Sequence, residues 1–364
     1  MAKSKKPSGP AEVKGPTSVY IASPEGDTGK STIALGVLHR LCASAARVGV
    51  FRPIARSTTE TDYILELLLE HTTADLSYEQ SVGVTYEATH ADPDAALSEI
   101  VSRYHVVAEE CDAVLIIGSD YTDVASPSEL GMNARIAANL GAPVVLAVKG
   151  IDRTPEEIVQ VVDMCTAELN QYHAHLLAVV ANRCDPEKLD DITKALDAKG
   201  VTAWSIPETP LLGAPTMAEL LTSTGGELYS GDPELMQREA LGVMVGGMTA
   251  EHILERLYEG VAVIAPADRS DAVLALVNAH EAEGFPSLAG IIMNGGLLPH
   301  PAIAKLIEGL KPRLPILTTP LGTFDTASAV AKTRGRVAVG SARKVDTALA
   351  LMEQRVDTNK LIEL

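Results

Sequence analysis

The chain has 364 residues, more than one domain usually holds, and 46% of them are hydrophobic, so two buried cores are expected. Acidic residues outnumber basic ones 48 to 30, a formal charge of −18, and aromatics are only 4%. Such a field repels nucleic acid and anionic membranes and leaves few rings for base stacking, so neither is expected as a partner.

The first 16 residues, MAKSKKPSGPAEVKGP, carry Lys3, Lys5, Lys6 and Lys14 with no apolar run behind them. They read as a disordered tail rather than a signal peptide, and no run in the chain is long enough to span a membrane. Cys42, Cys111, Cys165 and Cys184 are far apart and form no CxxC pair. They read as reduced thiols of a cytoplasmic protein.

From Ser18 onward, short β-branched runs alternate with amphipathic stretches. Predicted strands are SVYIAS (18–23), VGVFRPI (48–54), AVLIIGS (113–119), PVVLAVK (143–149), LLAVVAN (176–182) and TAWSIPE (202–208). Between them helices are predicted over Lys30–Ala46, Asp62–His71, Pro93–Glu109, Ser128–Leu140, Pro155–Gln171 and Pro186–Lys199. Strands apolar throughout are buried on both faces, which with the intervening helices predicts an α/β fold, a doubly wound, mostly parallel sheet.

Pro and Gly cluster in ETPLLGAPT (208–216), where a boundary is expected. A second series follows, LGVMVGG (241–247), VAVIAPA (261–267), LAGIIMN (288–294) and PILTTPL (315–321), each with a helical stretch behind it. The expected organisation is a first domain over 17–212, a smaller α/β domain over 213–342 and a helical linker over 343–364. In the last of these, VDTNKLIEL reads as a short helix capped by Asp357, too short to be stable without packing partners.

The chemistry concentrates in SPEGDTGKST, Ser23 to Thr32, directly behind the first predicted strand. Gly29-Lys30-Ser31 between a strand and a helix is the closing half of a phosphate-binding loop. Amides at the helix start face a phosphate, Lys30 supplies a point charge, and the Ser31 hydroxyl is placed to ligate Mg²⁺. Pro24 stands where such a loop has its first Gly, and Gly26 is the residue left to make the tight turn. The candidate phosphate cradle is therefore Gly26, Asp27, Thr28, Gly29, Lys30, Ser31 and Thr32. A plain Gly turn at a helix start is the alternative.

GDTGKST, then FRPIARS ending the second strand, then Asp62 opening the next helix, resembles dethiobiotin synthetase. The resemblance implies ATP or another purine nucleotide with Mg²⁺ as ligand. It places Arg52 at a substrate contact, Asp62 beside Ser31 as a metal ligand, and Asn182 of ANRCDP (181–186) as reader of the purine base. A solvated strand end, a helix N-cap and a turn residue explain these three equally well. Two positions depart from the family. A metal-binding Glu is replaced by Ile117, with Asp120 of LIIGSDYTD the nearest substitute or an Asx-turn residue, and a substrate-binding Lys is Arg52. Both weaken the case for turnover more than for binding.

The second domain widens the resemblance. A synthetase-like domain followed by APADRSD (265–271), IIMNGGLLPHP (291–301) and TTPLGTFDTASAV (318–330) is similar to the N-terminal part of bacterial phosphate acetyltransferase, with GSDYTDVASPSELGMNARIAANLGAP closest in wording to the actinobacterial branch. Asp268-Arg269-Ser270 keeps the start of the smaller module's DRTGG consensus and loses its glycines. Asp268, Arg269, Asn294, Gly295 and Gly296 are the candidate ligand loop there, with helix capping by Asp268 and Ser270 and turn duty for the glycines as alternatives. The resemblance implies a regulatory and assembly region with a small-molecule effector, homo-oligomeric, whose partner is a C-terminal transferase domain.

Two other functions compete. A stand-alone synthetase-like ATPase or ligase acting on a small acid is disfavoured by Pro24, Ile117 and Arg52. A partition-type ATPase needs a second Lys early in the loop, where Glu25 stands. The histidines suggest no catalysis: His173 and His175 have no third ligand for a metal, and His252, His280 and His300 have no nucleophile nearby.

Overall fold

The computed structural model describes residues 17–57, 61–119 and 129–357. The basic leader, Asp120 and the stretch after Asp357 lie outside the described residues. The described chain forms two compact units, one built from residues up to Glu208 together with those from Ala338 onward, the other from Thr209–Val337.

In the first unit the elements run β1 (Thr17–Ala22), α1 (Lys30–Ser44), β2 (Val48–Ala55), α2 (Tyr63–Leu69), β3 (Val82–Thr85), α3 (Tyr86–Ala91), α4 (Pro93–Glu110), β4 (Ala113–Ile117), α5 (Glu129–Asn139), β5 (Val144–Lys149), α6 (Pro155–Gln171), β6 (Leu176–Cys184), α7 (Leu189–Asp197) and β7 (Ala203–Pro207). The seven strands lie in the order β3-β2-β4-β1-β5-β6-β7, every adjacent pair parallel. β1 is central, with Ile21 opposite Ile117 of β4 and Val145 of β5. Every residue of β2 and of β4 is buried, as a strand covered by helices on both faces requires. Local signals set the helix starts: Asp92 caps α4, and Thr154 with Glu157 forms a capping box on α6.

The second unit runs α8 (Pro210–Gly213), α9 (Met217–Ser223), β8 (Glu227–Ser230), β9 (Gly242–Val245), α10 (Ala250–Leu254), β10 (Val261–Pro266), α11 (Ser270–Glu281), β11 (Gly290–Asn294), α12 (Pro301–Leu310), β12 (Ile316–Thr318) and α13 (Thr323–Lys332). Its sheet has the order β8-β12-β11-β10-β9; β8 is antiparallel to β12 and the other pairs are parallel. Val263, Ile291 and Ile316 face one core, and Ile264, Ile292 and Leu317 the other.

Sequence reasoning missed two strands. β3 and β8 have four residues each, none of them in a long apolar run, and lie at sheet edges. The last helix, α14 (Ala342–Arg355), differs from expectation more seriously. It belongs to the first unit, where it packs on α1. Gly36 makes the approach possible, because a Cβ there would collide with the Met352 side chain. Ala348 and Met352 are buried in this contact.

Candidate functional site

In an open parallel sheet, ligands bind beyond the C-terminal strand ends where the order of crossovers reverses. In the first unit that point is beside β1, and the loop leaving β1 is Ser23–Gly29. Two residues in it are left-handed, Asp27 at φ 59° and Gly29 at φ 74°. Gly29 caps α1 with no side chain on the helix amides, and its carbonyl accepts from Thr32 N at 3.1 Å.

Neighbouring strand ends hold the loop. Asn182 of β6 is buried and its Nδ2 donates to the carbonyl of Thr28 at 2.8 Å and of Gly29 at 3.4 Å. Gly29 must be glycine twice over, since a Cβ would overlap the Asn182 amide. Arg183, itself left-handed, donates to the Asp27 carbonyl at 2.9 Å while its other nitrogens grip Glu208 at 2.8 and 3.1 Å. Arg153 reaches Glu25 through two hydrogen bonds of 2.5 and 3.0 Å and also bonds the Lys149 carbonyl. Pro24 thus sits in a loop fastened by side chains from β6 and from the turn after β5.

A buried charge cluster lies under the loop. Lys30 and Arg52 are each 2% exposed. Lys30 Nζ donates to the Gly118 carbonyl at 2.7 Å, and Arg52 Nη1 donates to the same oxygen at 2.5 Å and to that of Ile117 at 3.1 Å. Arg52 Nε also pairs with Asp62 Oδ2 at 2.8 Å. The other oxygen, Oδ1, accepts from Ile64 N at 3.0 Å and Leu65 N at 3.2 Å, capping α2. Burial pushes the Asp62 carboxyl up, but the Arg52 charge and the helix amides together hold it below the usual carboxylate range.

Sequence reasoning missed Asn133 of α5. This fully buried amide accepts from Tyr20 Oη at 2.7 Å and Ser119 N at 3.1 Å, and donates to the carbonyls of Ser119 and Glu129. It fixes the chain just past β4, and a Cβ at Gly118 would strike it. An Asn inside an amphipathic helix gives no sequence signal for this.

Of the predicted metal residues, Ser31 is buried at the start of α1, and each Asp62 oxygen has a protein partner, Arg52 on one and the α2 amides on the other. Ile117 is apolar, and no group of three or more His, Cys, Asp or Glu that could hold a metal occurs among the described residues.

In the second unit the candidate loop is self-contained. Arg269 holds Asp271 at 2.9 and 2.8 Å and the Met248 carbonyl at 2.7 Å. Those Arg269 hydrogen bonds hold the Asp271 carboxyl down at about 2. The capping position of α11 is Arg269, whose side chain makes no bond to the helix amides, rather than Asp268 or Ser270. Asn294 is buried and, in the amide orientation that satisfies every partner, accepts from Thr323 N and Oγ1 and donates to the Ala265 carbonyl. Gly295 and Gly296, both left-handed, donate to the carbonyls of Leu321 and Thr319. These contacts tie strand ends together.

No helix among the described residues is long and apolar enough to cross a membrane. The cysteines are free thiols, and burial pushes those of Cys165 and Cys184 up to about 12.

Residues 17–216 match the AAA domain family and residues 219–333 the DRTGG domain family. The phosphate acetyltransferase of Synechocystis is 28% identical over 358 residues, 95% of this chain and 51% of the relative. That of Nitratidesulfovibrio vulgaris is 28% identical over 359 residues, 94% and 51%. The chain spans about half the length of the curated relatives it matches. Among solved structures, the CBS and DRTGG domains of the regulatory region of Clostridium perfringens pyrophosphatase, complexed with diadenosine tetraphosphate, match at 16% identity. The match covers 58% of this chain and 86% of that one, at a TM-score of 0.29. Septum site-determining protein MinD of Pyrococcus horikoshii, complexed with Mg-ADP, matches at 18% identity over 54% and 83%, at a TM-score of 0.34. With its phosphate-loop unit over 17–216 and a DRTGG domain after it, the chain belongs to the AAA domain family and is similar nearly throughout to the N-terminal region of phosphate acetyltransferases.

Proposed function

We propose that the chain is the regulatory and assembly region of a phosphate acetyltransferase, and that its first unit binds a purine nucleotide at the turn into α1. The observation that carries the second part is the loop between β1 and α1. Its helix amides carry no side-chain cap, its backbone is fastened from two neighbouring strands, and Lys30 lies buried at its base. Phosphate oxygens would meet the α1 amides and the positive end of its dipole, with Lys30 adding a charge-assisted hydrogen bond. A ligase acting on a small acid is less well supported, because the substrate-contact candidate Arg52 is buried and paired with Asp62.

Acetyl transfer between CoA and phosphate is assigned to a C-terminal transferase domain. That reaction needs a CoA pocket and positioned charges for the developing oxyanion, and the buried charges described above lie under the β1–α1 loop instead. Homo-oligomerisation and the response to a small-molecule effector belong to the same proposal.

Titration calorimetry with ATP on the chain tests the reading. Lys30→Ala should weaken binding by about ten- to a hundredfold, or about 1.5–3 kcal/mol. No heat with any nucleoside triphosphate would return the loop to a plain turn. A normal rate of CoA release from acetyl-CoA and phosphate by the purified chain would overturn the regulatory part.

A further inference from the structure

Asn182 and Arg183, adjacent at the end of β6, both hold the β1–α1 loop by its carbonyls. Asn182 Nδ2 donates to the Thr28 carbonyl at 2.8 Å and to that of Gly29 at 3.4 Å, and Arg183 Nη1 donates to the Asp27 carbonyl at 2.9 Å. In a trans peptide the C=O and the following N–H point in opposite directions. With the Asp27 and Thr28 carbonyls turned to β6, the amides of Thr28 and Gly29 are turned away from it. The backbone also alternates in hand there, with Asp27 and Gly29 left-handed on either side of Thr28. Successive amides in that conformation form an anion-binding hollow. Thr28 is buried and its hydroxyl has no hydrogen-bond partner among the described residues, so one donor of the loop is unsatisfied.

The resemblance to dethiobiotin synthetase implies another task for Asn182, reading the purine base. To read an adenine edge, an amide offers its oxygen and its nitrogen side by side. Here Nδ2 is on the loop and the residue is 4% exposed. The amide also lies so close to Gly29 that a Cβ there would come within 2.3 Å of it. We propose that Asn182 and Arg183 are positioning residues, which set the loop amides for phosphate oxygens, and that the choice of base does not pass through Asn182. This rests on the nucleotide reading above. Arg183 suits the task because Glu208 fixes its guanidinium from two sides, at 2.8 and 3.1 Å, so the Asp27 carbonyl is held by a side chain with little freedom to swing.

The test is calorimetry on the full chain with ATP, GTP and inorganic tripolyphosphate, which has no base. Asn182→Asp keeps the size but sets an acceptor against the Thr28 carbonyl. It should weaken all three ligands by a common factor of about tenfold, with the ATP-to-GTP ratio unchanged within about twofold. A loss confined to ATP, or a swing toward GTP, whose guanine N1–H and N2–H a carboxylate accepts, overturns the proposal. Arg183→Ala removes a partly exposed side chain and should also weaken the three together, by about threefold; a loss for ATP alone overturns it. Amide hydrogen exchange in the ligand-free protein gives a readout independent of affinity. Either variant should speed exchange at Thr28 and Gly29 and leave β4 and β10 as they were, whereas unchanged exchange in the loop, or an equal rise everywhere, overturns the positioning role. A base-selective loss in a parent that binds removes this inference alone. No binding of any of the three by the parent removes the nucleotide reading as well.

Discussion

Both units carry charged loops at the C-terminal edge of a parallel sheet, yet they place those charges oppositely. In the first, Lys30, Arg52 and Asp62 lie inside, with side-chain exposures of 2% for Arg52 and 8% for Asp62. In the second, the corresponding pair is outside, with Arg269 30% and Asp271 53% exposed. Both are short, well-formed ion pairs, so geometry does not separate them. Solvent does. An exposed pair exchanges one good environment for another and adds little, whereas a buried pair has already lost its hydration and cannot tolerate losing a partner. The first unit therefore holds a buried charge cluster, and the second holds loops whose contacts are mostly with one another.

The largest expected effect breaks the buried pair. Arg52→Ala should lower the unfolding free energy by about 3–5 kcal/mol, because Asp62 is left buried and uncompensated. Arg269→Ala should cost about 0–1 kcal/mol in the same denaturant titration. Equal losses would show that burial does not distinguish the two edges.

Glycine offers a second contrast, with one substitution of opposite sign. Gly36→Ala should destabilise by about 1–3 kcal/mol, since the new Cβ meets Met352 of α14 inside the first unit. Gly309→Ala, on the exposed side of α12 with nothing near its Cβ, should stabilise by about 0.5–1 kcal/mol. Thermal unfolding of both variants decides whether α14 truly seals the first unit.

The acid limb sharpens the comparison further. Asp62 has a folded-state pKa below the 3.8 of an ordinary carboxyl, so its stabilisation is complete above pH 3.8 and is lost as pH falls through the lower folded value. Asp62→Asn should flatten the stability profile below about pH 4. Asp271 is held down at about 2, yet its exposure screens the pair, so Asp271→Asn should change that limb less.

Most of the sheet architecture was legible because β4 and β10 are apolar throughout and β1, β2 and β5 mostly so, and such runs between amphipathic stretches admit few folds. β3 and β8 were not, since short edge strands with only Gly83 buried gain their pairing from a neighbour and not from their own pattern. The turn into α1 was legible from Gly29-Lys30-Ser31, and its support from Asn182, Arg183 and Arg153 was not. Those three come from strand ends and loops more than a hundred residues away, and Asn182 holds the loop's carbonyls. For Asp62 the sequence left a metal ligand and a helix cap as alternatives; in the fold one oxygen caps α2 and the other holds Arg52.

The sequence by itself determined which segments are strands and helices in most of both units, that there are two units, and where a phosphate-type turn sits. These follow from local periodicity and from glycine and proline at fixed offsets. Only the tertiary structure decided that α14 returns to α1, that Asn133 pins the end of β4, and that Arg52 closes on Asp62. Each is a contact between side chains far apart in the chain, made specific by burial, and burial at a given residue is a property of everything packed around it.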